Sequence, residues 1–135
     1  MSAREINRSG STGVQVDDLA ELVALDKVLR EAKFGTAPVD ATIAASPIVA
    51  DLSRRVRDAI NVQTYGAPNP ADREDMIRPE WREWAASVQA ANRLTSWHAW
   101  TYETKTEVAR DLLSPFGLSD QILALFIDEV DAGRD

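Results

Sequence analysis

Apolar residues recur along most of this chain at the three-and-four spacing of helices, and the breaks between recurrences fall on glycine, proline and serine. Leu19, Leu22, Val23, Leu25, Val28, Leu29 and Ala32 trace a broad stripe on a helix that starts at Asp17 or Asp18 and reaches about Lys33. Asp17 can cap the first-turn amides, while Asp18 and Glu21 suit the positive end of the helix dipole. Lys27, Arg30 and Lys33 sit late, where positive charge is favoured, and Gly35 stops the helix. Residues 36–45 read as a connector or a short helical turn. Ser46 and Pro47 then open a second helix as cap and first residue. Ile48, Val49, Leu52, Val56, Ala59 and Ile60 line one side of it; Asp51, Arg54, Arg55, Arg57 and Asp58 lie mainly on the others, and it ends near Tyr65 and Gly66.

The pattern is less regular in the second half. Residues 67–70 form a turn, from which a short helix can reach Ile77. A helix from Glu80 carries Trp81, Trp84, Ala85 and Val88, and either continues with two apolar sides or breaks near Thr95 and restarts with Ser96 as a cap. Residues 100–108 satisfy both the strand and the helix period; a lone strand needs a partner and the chain offers only short candidates, so helix fits better. Residues 113–117 end that element. Ser119 caps a last helix, Asp120 to about Asp131, whose Ile122, Leu123, Leu125, Phe126, Ile127 and Val130 cover more than one narrow face.

The fold predicted from this pattern is all-α: an irregular or orthogonal bundle of about five helices over residues 17–131, with a polar N-terminal arm (1–16) and an acidic C-terminal end (132–135). The expected core is Leu22, Val28, Val49, Leu52, Val56, Trp84, Val88, Leu112, Ile122, Phe126 and Ile127.

Composition narrows the chemistry. With no cysteine, the chain has no disulfide, thiolate metal site or cysteine nucleophile. A formal net charge of −7 disfavours nucleic acid as a partner. The run Arg54, Arg55, Arg57 on a second helix loosely suggests a helix-turn-helix, but the connector before it is far too long. No segment approaches a membrane span and the start has no hydrophobic leader, so the expected location is the cytoplasm of a bacterium or phage-infected host.

Catalytic patterns are missing. The single histidine, His98, has no second nitrogen ligand to join it, no glycine loop cradles a phosphate, and no serine sits in a nucleophile elbow. No cofactor is implied. What stands out is four tryptophans between 81 and 100, beside His98 and Tyr102, followed by the apolar last helix; the rings read first as a core anchored by large side chains, and otherwise as a binding surface or a ligand pocket. Three readings follow. The first is a non-enzymatic interaction module or assembly subunit (an adaptor, a structural or a phage-type accessory protein) that binds protein partners or itself, with Trp97, Trp100, Tyr102, His98, Phe116 and Phe126 as candidate contacts. The second is a small-ligand binder or enzyme with a pocket lined by Trp84, Trp97, His98, Trp100 and Tyr102. The third is a DNA-binding or DNA-mimicking regulator.

Overall fold

In the computed structural model, residues 13–35, 40–67 and 76–133 are described, and among them the chain is all-α. Helix α1 spans Leu19–Arg30 and runs into a π-helical turn, Glu31–Gly35. Then come the short α2 (Ala41–Ala44), the long α3 (Pro47–Tyr65), α4 (Arg82–Asn92), a 3-10 turn at Trp97–Ala99, α5 (Tyr102–Leu113) and α6 (Asp120–Ala132). The predicted arm lies mostly outside the described residues, as does most of the short helix expected before Ile77.

Most boundaries follow local side-chain chemistry. Ser46 and Ser119 cap α3 and α6 by accepting from the Val49 and Ile122 amides, and Pro47 occupies the first turn of α3. Asp18, not Asp17, caps α1, accepting from the Glu21 amide at 3.4 Å. Thr101 caps α5 through the Thr104 amide at 3.2 Å, which settles residues 102–108 as helix. Helix α4 starts at Arg82 and ends at Asn92, and Ser96 precedes the 3-10 turn without making a side-chain cap bond. Gly66 closes α3 with φ of 84°, the left-handed geometry that a side chain disfavours.

The core lies between α4, α5 and α6. Trp84, Ala90, Ala91, Trp97, Leu112, Leu113, Leu123, Phe126, Ile127 and Val130 form one buried cluster, closed by Phe34, Ala44 and Ile77 from the flanks. Ile77 enters it where its amide donates to the Gly117 carbonyl at 3.1 Å, beside a parallel bridge between Met76 and Gly117. Two indoles are anchored to α6 at its far end: Trp84 Nε1 donates to Glu129 at 2.9 Å and Trp97 Nε1 to Asp131 at 2.8 Å. Lys105 Nζ joins the second carboxylate at 3.1 Å and lies over the Trp97 ring. Burial alone would raise the Asp131 carboxyl, but these hydrogen bonds and the Lys105 and His98 charges outweigh it and hold it below the usual carboxylate range.

Helices α1 and α3 stand outside that cluster. They pack on each other, with Leu22 and Val56 buried and Asp26 paired to Arg57 at 3.3 Å between them. The amide of Gln63 donates to the Asp17 carbonyl at 2.6 Å, so the end of α3 meets the start of α1 and the two run antiparallel. The pair is tied to the rest by ions rather than by apolar contact alone: Arg54 to Asp111 at 3.2 Å and Arg30 to Glu83 at 3.6 Å.

This arrangement corrects the expected core. Leu22, Val56, Trp84, Leu112, Phe126 and Ile127 are buried, and Val49, Leu52, Val88 and Ile122 are half-buried. Val28 is 62% exposed. It lies six residues after Leu22, about 120° round the helix, on a side that α3 does not cover.

Candidate functional site

The aromatic cluster read as a binding surface is largely interior. Trp97 and Phe126 are both 0% exposed, so neither side chain is available to a partner. Large rings at this spacing stack on one another instead. Trp84 meets Phe126 edge-on at 5.2 Å, and Trp97 meets Trp100 at 6.1 Å. Trp100 and Phe116 are half-buried, and Phe116 packs against Trp81, Phe34 and the Arg30 guanidinium. Only Tyr102 and His98 of the candidates face solvent. The pocket expected between Trp84, Trp97, His98, Trp100 and Tyr102 does not form: Trp84 and Trp97 are sealed in the core and His98 is exposed.

A groove does form elsewhere, where α3 meets α5. Its volume is about 550 Å³, and Arg54, Glu107, Arg110, Asp111 and residues 116–118 line it. Arg54 reaches over from α3 to the Asp111 carboxylate and to the Arg110 carbonyl at 3.1 Å. Its charge is thereby engaged. Arg110 has only a long pair, 3.8 Å, with the fully exposed Asp120. The other arginines of the basic run are also matched: Arg55 to Asp51 at 3.5 Å, Arg57 to Asp26. The run is an alternation of charges in space, each guanidinium beside a carboxylate.

Behind the groove lies a buried amine that spacing alone does not reveal. The π-helical turn widens the end of α1 and swings Lys33 and Phe34 inward. Lys33 is 1% exposed, and its Nζ donates to the Asp111 carbonyl at 2.6 Å, the Ser114 hydroxyl at 2.9 Å and the Ala44 carbonyl at 3.4 Å. These are groups at the C-terminal ends of α5 and α2, where the helix dipole welcomes a cation; the Asp111 carbonyl also accepts from the Ser114 hydroxyl at 3.0 Å. Burial nevertheless pulls the amine down from 10.5 to about 7, with the Asp111 charge opposing and Arg54 adding to the fall.

The third feature is the outer side of α1. Ala20, Val23, Ala24 and Val28 are all exposed, with only Glu21 and Lys27 between them for charge. On α3, Ile48 at the start and Val62 and Tyr65 at the end are exposed, separated by Asp51, Arg55 and Asp58. The broad stripe of α1 is thus used on one flank only.

Among the described residues, no group of three or more His, Asp and Glu side chains could hold a metal ion, and no helix is long and apolar enough to cross a membrane. Compared with known protein families, curated proteins and solved structures, the chain matches none.

Proposed function

We propose that the protein is a non-enzymatic interaction module, an adaptor or assembly subunit, and that it works through the outer side of α1 rather than through its tryptophans. The observation that carries this reading is the uncovered apolar arc Ala20, Val23, Ala24 and Val28. Single exposed apolar side chains are ordinary, whereas four on one side of a helix at i, i+3, i+4 and i+8 are the pattern of an anchor row. α1 is also held to the molecule chiefly through α3, so a partner can reach its outer side without disturbing the α4–α6 core.

Site-specific photo-crosslinking in the producing cell tests this. A photoreactive residue at Val23 or Val28 is expected to give one discrete adduct, while the same residue at His98 or Asp58 gives none. Equal labelling at all four positions, or at none, would overturn the reading. The groove over Asp111 favours a second reading, a small-ligand site, because it combines the Phe116 and Leu118 side with the weakly paired Arg110. That reading expects ligand-induced stabilisation that Arg110→Ala abolishes and Val28→Ala leaves intact.

A further inference from the structure

Resting on the small-ligand reading of the groove between α3 and α5, we propose that its ligand is a free α-amino acid with a large apolar side chain. Arg110 takes the carboxylate, Glu107 takes the ammonium, and Phe116 and Leu118 take the side chain.

The two charges come from one helix. Glu107 and Arg110 both line the groove and stand three positions apart on α5, which makes them neighbours on one side of it, with Cβ atoms about 5–6 Å apart. Neither is firmly committed. Arg110 reaches Asp120 only at 3.8 Å, and Asp120 is fully exposed, so this pair contributes little and a ligand carboxylate can displace it. Glu107 is exposed and pairs with no cation among the described residues. The other two charges of the groove are spent on each other: Arg54 donates to the Asp111 carboxylate at 3.2 Å and to the Arg110 carbonyl at 3.1 Å. What remains is a weakly held cation beside an open anion.

That pair selects its ligand by charge. A simple anion on Arg110 would face Glu107, and a simple amine on Glu107 would face Arg110. An α-amino acid carries both charges on one carbon, close enough together to meet neighbouring side chains of a helix. A peptide terminus carries only one of them. The apolar side of the groove is in place beforehand: the Phe116 ring is packed by Trp81 at 5.6 Å, Phe34 at 6.0 Å and the Arg30 guanidinium at 5.2 Å. Next to it the Gly117 carbonyl accepts from the amide of the buried Ile77 at 3.1 Å, which ties this stretch to the core. A preformed apolar wall with a few convergent polar groups is what small-ligand sites share, and about 550 Å³ is an ordinary size for one.

The test is an NMR titration of the ¹⁵N-labelled full chain with three probes. L-phenylalanine has ring, carboxylate and ammonium; 3-phenylpropionate lacks the ammonium, and phenethylamine lacks the carboxylate. L-phenylalanine is expected to shift the Gly117 and Leu118 amides and the Arg110 Nε–H saturably, and to bind about tenfold more tightly than either analogue. Glu107→Gln should erase its advantage over 3-phenylpropionate, and Arg110→Gln its advantage over phenethylamine. Equal binding of L-phenylalanine and 3-phenylpropionate would overturn the amino-acid assignment while leaving a small-ligand groove. Silence from all three probes would overturn it too, and a fragment library then separates the two ideas: fragments that shift Gly117 and Leu118 keep the small-ligand reading, and none doing so removes it as well. The probe series uses the unaltered chain, so a variant that fails to fold does not blunt the test.

Discussion

Between the unfolded and folded chain the proton affinity of Lys33 falls, because folding takes its amine from water into the junction of α2, α5 and the π-helical turn. The folded value is about 7 against 10.5 unfolded. Unfolding therefore takes up a proton between these values, and stability should climb as pH rises through that window and be flat below it, by about 5 kcal/mol over the whole interval. Urea unfolding at several pH values measures the slope, and Lys33→Met should remove it whatever it does to stability at any one pH. Asp131 has the opposite sign. Its carboxyl is held low when folded, so its contribution is present near neutrality and is lost in acid. Neither residue announces itself in the sequence. Lys33 reads as a late basic residue suited to the end of α1, and only the widening of the backbone at residues 31–35 turns it inward. Trp97 reads as core first and as contact second, and its indole can be buried because Asp131 supplies an acceptor.

At the scale of elements, the signals that survive are those in which a residue acts on its own backbone. Ser46, Pro47, Gly66 and Ser119 mark their helix ends because capping, a preset φ and a left-handed turn are local matters. Gly66→Ala should accordingly cost about 1–2 kcal/mol, measured by thermal unfolding, since the added Cβ must adopt a positive φ although nothing crowds it. The apolar stripe of α1 is different, because a stripe says that a side can be covered and not that it is. Leu22→Ala should cost about 2–5 kcal/mol, as for a closed core site. Val28→Ala should stay within about 0.5 kcal/mol. Equal costs at the two positions would mean that α1 is covered all round. The choice between strand and helix at residues 100–108 was open on period alone, and the Thr101 cap decides it.

The whole molecule is unevenly built. One cluster unites α4, α5 and α6, whereas α1 and α3 lean mainly on each other, with Arg57 paired to Asp26 between them, and reach the rest through Arg54 and Arg30 and their carboxylates. Partly exposed ion pairs contribute little compared with a continuous apolar core. Hydrogen exchange should therefore find α6 protected close to the global limit and α1 opening at distinctly lower free energy, more so at high salt. An all-α fold was legible from periodicity; this division was not, since it depends on which helix sides meet.

All four tryptophans belong to residues 81–100, and none lies between 13 and 67. Indole fluorescence consequently watches one half of the protein and is blind to the other, while circular dichroism counts helix wherever it occurs. If the antiparallel pair detaches ahead of the rest, the two spectroscopies will trace different melting curves from one sample, and a single midpoint taken from emission would overstate how long the first helix stays in place.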